Sequence, residues 1–289
     1  MFFCDTGDRA KDARSRSKRA AIVELLLLWY VFSPLCGIAE ANYAAGGGTA
    51  GTGVVSAIAI GAGDGTTTLA DGNFAIAIGS NAQALTSGNI AIGRESTASG
   101  DRSIATGVDA TASGAFSIAT GIVATALGAS SIATGIGAYA FGDYSIATGR
   151  EAIASGDRSI ATGYGAKAEK VYASAYGSGA EATGASSLAI GSLAKASADG
   201  SVALGSGSTT ASSTNTNVYR PTNTTSAASG DVTATVKGVT GVVSVGNGTT
   251  TRQITNLAAG AEDTDAVNVA QLKALFASAA ASLNAAIVS

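Results

Sequence analysis

The letters SIATG occur five times, at residues 103, 117, 131, 145 and 159, always fourteen residues apart. So short a period excludes most folds, because each repeat must be one structural unit that stacks on its neighbours. From Ala75 the chain divides into ten coils of fourteen residues, the last incomplete, starting at 75, 89, 103, 117, 131, 145, 159, 173, 187 and 201. A further coil starts at Ala57, offset by four extra residues within "GDGTTTLADGNF". "GRESTASGDRSIATG" from Gly93 and "GREAIASGDRSIATG" from Gly149 are near copies 56 residues, or four periods, apart, which points to growth by duplication of coil blocks.

Each column of the repeat carries a constraint. The third position is alanine and the fifth glycine in all ten coils; the tenth is alanine in every full coil, and the eighth in all but one, which has Ser96. The second is Ile, Leu or Val except at Ser174, whereas the seventh, ninth and eleventh accept almost any residue. Period-two alternation makes the first four positions one strand and the seventh to eleventh another, with a glycine turn between them. These columns predict an all-β solenoid of 14-residue coils. The second and fourth positions are expected inside, against the alanines of the eighth and tenth, and the variable face of the second strand outside.

The first and third positions then form a flat, small, uncharged face. It is read as a subunit interface near a symmetry axis, made by Ser103, Ala105, Ser117, Ala119, Ser131, Ala133, Ser145, Ala147, Ser159 and Ala161; an ordinary smooth surface is the alternative. A two-strand coil with so little apolar volume is a poor monomer, which also favours association. The fourth column runs Ile78, Ile92, Thr106, Thr120, Thr134, Thr148, Thr162, Tyr176, Ile190, Leu204. Each threonine in an inward slot would give up roughly 1 kcal/mol of apolar burial, so its hydroxyl is expected to bond a carbonyl or a water. The coil at Ala173 is irregular, with Ser174 and Tyr176 in core columns and Lys170 replacing a turn glycine just before it.

Composition narrows the chemistry. Histidine is absent and the two cysteines, Cys4 and Cys36, fall in the first 36 residues, which argues against zinc, histidine-dependent and thiol chemistry in the rest. No metal or cofactor is expected. The net charge of −3 gives no reason to expect nucleic acid. Residues 1–41 read as an export signal: six Lys/Arg against three Asp in the first nineteen residues, an apolar run from Ala20 to Phe32 broken only by Glu24, and the small-residue site Ala39-Glu40-Ala41. A buried N-terminal helix is the alternative. Cleavage after Ala41 would leave an exported protein without thiols.

Beyond a Gly/Ala-rich segment at 42–56 and a head at 57–205, residues 206–231 form a Ser/Thr/Asn-rich linker. A strand-containing connector and neck follow at 232–264, then a helix at 265–289, with Asp263-Thr264-Asp265 as N-cap candidates. Val269, Leu272, Phe276, Ala279, Leu283 and Ala286 recur at the 3-4 spacing of a coiled-coil seam; an amphipathic core helix is the alternative.

The "AIAIG…AxAxG" coils, "GVVSVG" at 241–246 and "RQITNLAAGAEDTDAVNVAQLKAL" from Arg252 resemble the head repeats, neck and stalk start of trimeric autotransporter adhesins, the YadA-like family. The resemblance implies a left-handed parallel β-roll in each chain, a homotrimer, and a neck leading into a narrower coiled coil. It implies no catalysis, but binding of extracellular matrix protein, a host-cell receptor or other bacteria at a Gram-negative outer surface. The family's membrane anchor has no counterpart among the residues after Leu272, so membrane contact is expected only through an anchor outside this chain, or secretion without one. The fourteenth column, a loop column carrying Arg102, Phe116, Tyr144, Arg158 and Tyr172, is the candidate ligand ladder, with Tyr139 and Phe141 as secondary candidates. An ice-binding or purely structural β-solenoid is the competing class. Arg94/Glu95 and Arg150/Glu151 are the nearest approach to an enzyme's charged cleft and read as exposed ion pairs.

Overall fold

The computed structural model describes residues 42–61, 67–210 and 241–288; the export signal and most of the linker lie outside them. Each coil contributes a three-residue strand at positions two to four, such as Ile104–Thr106, and a two-residue strand at positions nine and ten, such as Thr111–Ala112. The first kind builds a 13-stranded sheet and the second a 12-stranded sheet, both parallel. Register is one whole repeat: Ile104 sits on Ile118, Thr106 on Thr120 and Thr111 on Thr125. Every column therefore stacks on itself as a straight ladder at about 4.8 Å per step.

The solenoid begins earlier than the period announces. Residues 42–56 contain the strands Tyr43–Ala45 and Gly48–Ala50, which pair with Ile58–Ile60 and Thr68–Ala70. At the other end, Val243–Ser244 resumes the first sheet on Val202–Leu204.

The inside of the coil is the reverse of the expected one. Positions one, three, eight and ten face each other between the sheets, and the alanines there are fully buried. Ser103, Ala105, Ser117, Ala119, Ser131, Ala133, Ser145, Ala147, Ser159 and Ala161 have no exposed surface even in a single chain, so they are its core and not a subunit interface. The aliphatic second column and the threonine-bearing fourth column point out from the first sheet: Thr120, Thr134 and Thr148 are exposed, as are Ile92, Tyr176 and Leu204. Small-against-small packing explains the inversion. With alanine on both walls the backbones approach closely, leaving no room between them for Ile or Tyr.

Among the described residues the core is polar along its serine column, at Asn89, and at Thr68, Ser96, Ser208 and Thr210. Ser103 Oγ donates to the Ala112 carbonyl at 3.1 Å and Ser187 Oγ to the Gly184 carbonyl at 2.7 Å, whereas the Oγ atoms of Ser117, Ser131, Ser145 and Ser159 have no partner. Among the described residues Asn89 is the bulkiest fully buried side chain; its Nδ2 donates to the Ala98 carbonyl at 2.6 Å and its Oδ1 accepts from the Ser103 amide at 3.0 Å.

The segment from Gly241 to Arg252 is fastened to the last coil by Arg252. Its guanidinium donates to Ser208 Oγ at 2.9 Å, to the Val245 carbonyl at 2.6 Å and to the Ser206 carbonyl. The helix spans Val269–Val288 and is capped by Asn268 rather than by the expected Asp263-Thr264-Asp265. Asn268 Oδ1 accepts from the Gln271 amide at 3.0 Å while Gln271 Oε1 accepts from the Asn268 amide at 3.2 Å, a reciprocal capping box. Asp265 closes the preceding turn instead, its Oδ2 accepting from the amides of Ala261 at 2.9 Å and Glu262 at 3.1 Å.

Those bonds to Ala261 and Glu262 hold the Asp265 carboxyl below its ordinary pKa. A carboxyl with a depressed folded-state value contributes order above its unfolded value and loses it as pH falls through the folded one. Amide exchange at Ala261 and Glu262 is therefore expected to accelerate, relative to amides of the head strands, only below the usual carboxylate range. Equal acceleration in Asp265→Ala would contradict this.

Candidate binding ridge

The fourteenth column lies at the corner between the second sheet and the next strand of the first. Its side chains leave a backbone held in the left-handed region: Arg102 has φ 52°, Phe116 59°, Tyr144 58°, Arg158 56° and Tyr172 58°. Gly88 and Gly200 fill the same place in other coils, so the geometry is native to glycine. Bulky residues there cost on the order of 1 kcal/mol each, yet they stand in solvent, where nothing inside the chain needs them. Phe116, Tyr144 and Tyr172 are each more than half exposed.

Stacking along the column organises them into two groups. The Arg102 guanidinium lies 5.4 Å from the centre of the Phe116 ring and 3.3 Å from Asp101. Beyond Ser130, the Arg158 guanidinium lies between two rings, 5.4 Å from Tyr144 and 5.5 Å from Tyr172, and donates to the Tyr172 hydroxyl at 3.3 Å. The corner itself is braced by thirteenth-column carboxylates: Asp143 Oδ1 accepts from the Ala129 amide at 2.8 Å and Asp157 Oδ1 from the Asp143 amide at 3.1 Å. Phe116, Tyr144 and Tyr172 recur at every second coil, so their rings repeat at about 9.6 Å.

Tyr139 and Phe141 stand apart from this corner, on the outward face of the second sheet, with ring centres 5.6 Å apart and planes 9° from parallel. A third exposed ladder escaped sequence reasoning. In the sixth column Ile122 and Ile136 are about half exposed, and Arg150 lies 5.7 Å from the exposed Tyr164 ring. Its signal was present as Val108, Ile122, Ile136, Arg150 and Tyr164 at fourteen-residue spacing. Arg94–Glu95 and Arg150–Glu151 form ion pairs between sequence neighbours, at 2.9 and 3.1 Å, exposed on turns. Among the described residues no cluster of three or more His, Cys, Asp or Glu offers a metal site.

The helix carries Val269, Leu272, Phe276 and Leu283 exposed in the single chain, together with Leu275 and Ile287. Its 20 residues are long and apolar enough to cross a membrane by length and composition, but the 3-4 spacing of its apolar residues is that of a coiled coil.

Comparison with known families accounts for both parts of the chain. The YadA head domain repeat matches residues 65–89, 90–110, 98–124, 105–131, 126–152, 154–180 and 182–208. The coiled stalk of trimeric autotransporter adhesin matches residues 253–288. Among solved structures, the collagen-binding domain of the Yersinia adhesin YadA is 28% identical, covering 71% of this chain and 84% of that one, with a TM-score of 0.37. A comparison with curated proteins finds no match.

Proposed function

This chain belongs to the trimeric autotransporter adhesins, and from that premise we propose that three copies pack side by side and that their fourteenth-column ladders grip an extended matrix protein. The subunit contact in this reading is the outward aliphatic face of the first sheet, continued by the helix seam Val269, Leu272, Phe276, Ala279, Leu283 and Ala286. The head does no chemistry. The protein is exported, displayed at the outer surface of a Gram-negative cell, and meets a membrane only through an anchor.

The observation that carries the ligand assignment is the spacing of the rings. Rungs about 9.6 Å apart nearly match one turn of a polyproline II helix, three residues at about 3.1 Å each. Exposed rings at that interval, with Arg102 and Arg158 stacked on their faces, suit the preformed, extended chain of a proline-rich or collagen-like partner. Arg102 and Arg158 add donors for its free carbonyls. Three parallel ladders turn weak single contacts into avidity. The ice-binding alternative requires the Ile–Thr face of the first sheet to remain free, which trimer packing denies; thermal hysteresis in the purified protein would favour it.

Replacing Arg102, Phe116, Tyr144 and Arg158 by Ser is expected to lower binding to matrix-coated surfaces on the order of a hundredfold. Trimer mass and melting temperature should hold, because serine already occupies this column at Ser130 and Ser186 with φ 56° and 54°. Undiminished binding by an intact trimer would remove this column from the mechanism.

A further inference from the structure

We infer that the N-terminal tip of the solenoid is a self-association site, at which the open sheet edges of one head pair with those of a second copy facing it end to end. The two ends of the solenoid are finished differently. At the base, Val202 donates its amide to Val242 and Thr209 to Gly246, each at 2.8 Å, and Arg252 clamps the segment from Gly241 across the last coil. The tip has no equivalent among the described residues.

Its terminal strands, Tyr43–Ala45 and Gly48–Ala50, each have a neighbour on one side only. The Tyr43 amide donates to the Ala57 carbonyl and the Ala45 carbonyl accepts from the Gly61 amide, both at 2.9 Å. In a parallel ladder alternate residues turn both backbone groups the same way, so the N–H and C=O of Ala44 point outward from the end of the rod. The Gly51 amide donates to the Ala70 carbonyl at 2.7 Å, and by the same rule Gly48 and Ala50 turn outward too. Repeat proteins ordinarily close their ends with a polar capping unit, and sheets guard free edges with charge or proline. Neither device is present among the described residues: residues 42–61 contain no charged residue and no proline, and the first charge among the described residues is Asp71. Tyr43, Val55 and Phe74 leave apolar surface exposed at the same end.

Charge neutrality selects the partner. Two identical tips carry the same charge, so a charged tip would repel its own copy, whereas this one meets it without penalty. A two-fold axis perpendicular to the rod sets Tyr43–Ala45 antiparallel to itself, an isologous contact, and flat strands of small residues let the backbones approach. The stalk is at the opposite end, so the tips are the parts of two facing heads that meet first.

The test uses the exported full chain, purified as the assembled particle, with sedimentation for mass and negative-stain electron microscopy for geometry. Wild type is expected to give concentration-dependent end-to-end pairs of twice the particle mass. Ala44→Pro removes an outward donor without touching the bonds to Ala57 and Gly61, and Thr49→Lys places like charges at the junction. Each is expected to lower the pairing constant about tenfold or more, with circular dichroism and melting unchanged. The ladder variant described above should pair as wild type does. Wild-type particles that stay single at every concentration, whether residues before Asn42 or a different protein's strand occupies the edge, would overturn the inference. So would side-by-side pairs, or undiminished pairing by both folded variants.

Discussion

Gly135→Ala is expected to unfold the middle of the head, whereas Gly137→Ala, two residues along the same turn, is expected to be nearly silent. Gly135 has φ 133°, a region closed to residues with a Cβ, and a Cβ built there would lie 2.5 Å from the Gly149 carbonyl oxygen of the next coil. The clash is with backbone that is itself in the ladder, so relief in one coil displaces the next. The combined cost is on the order of 4 kcal/mol per chain. Gly137 has φ 60°, and its nearest neighbour would be the flexible Glu151 side chain at 3.9 Å. Val123 and Glu151 already occupy that column at φ 57° and 58°, so Gly137→Ala costs only about 1 kcal/mol. Chemical denaturation of the two variants side by side checks this. Similar midpoints would mean that coils yield independently and that the fifth-column glycines do not hold the turn rigid.

Charging the outward face of the first sheet should dissolve the assembly without unfolding its chains. Ile118→Asp, Ile132→Asp and Ile146→Asp place carboxylates on a half-buried surface that the proposed trimer covers completely. In the monomer each carboxylate reaches water at little cost. In the trimer, one unpaired buried charge costs about 3–5 kcal/mol per site, enough to shift the assembly wholly to monomer. Sedimentation should show one-third of the wild-type mass with strand circular dichroism retained. The control is Ser117→Ala, Ser131→Ala and Ser145→Ala on the opposite side of the same strands. These remove buried hydroxyls that have no partner, and alanine already fills that column at Ala75 and Ala173. They are expected to leave the mass unchanged and to raise stability by about 1 kcal/mol each. A serine triple variant that fell apart while the aspartate variant stayed assembled would place the contact on the wrong side of the sheet.

The repeat length, the two strands per coil, the glycine corners and the family were legible in the residues, because each leaves its mark in a column that does not vary. The orientation of the coil was not read correctly. Alternation says which residues share a face but not which face is inside, and the larger aliphatic residues were assigned to the core. The better guide was tolerance of volume. The third column never departs from alanine, while the fourth holds Ile, Thr, Tyr and Leu in turn, and only a surface outside the close-packed core accepts such a range. The threonine ladder then needs no buried partner within its own chain, and Tyr176 is no defect. The cap at Asn268 was likewise written as Asn-x-x-Gln immediately before the helix, but the acidic run at 263–265 drew the assignment. Stacking of Arg158 between Tyr144 and Tyr172 depends on side-chain torsions, to which the one-dimensional pattern is blind; only the column itself could be found in advance.

A core lined almost entirely by alanine and serine has a further consequence, for how the chain finds its own register. Any coil fits on any other, so a slip of fourteen residues exchanges one set of contacts for an identical set and loses only what lies at the ends. Asn89 breaks that degeneracy. Apart from Asn42 in the first turn, which bonds the Val54 carbonyl and the Ala57 amide in the same way, it is the only asparagine in its column among the described residues, and its bonds to Ala98 and the Ser103 amide join two particular coils. Among otherwise interchangeable parts it acts as an address, and the Arg252 clamp provides a second one at the base. Between these two fixed points the solenoid gains or loses whole coils without any change in core chemistry, so its length is free to vary while its cross-section stays constant.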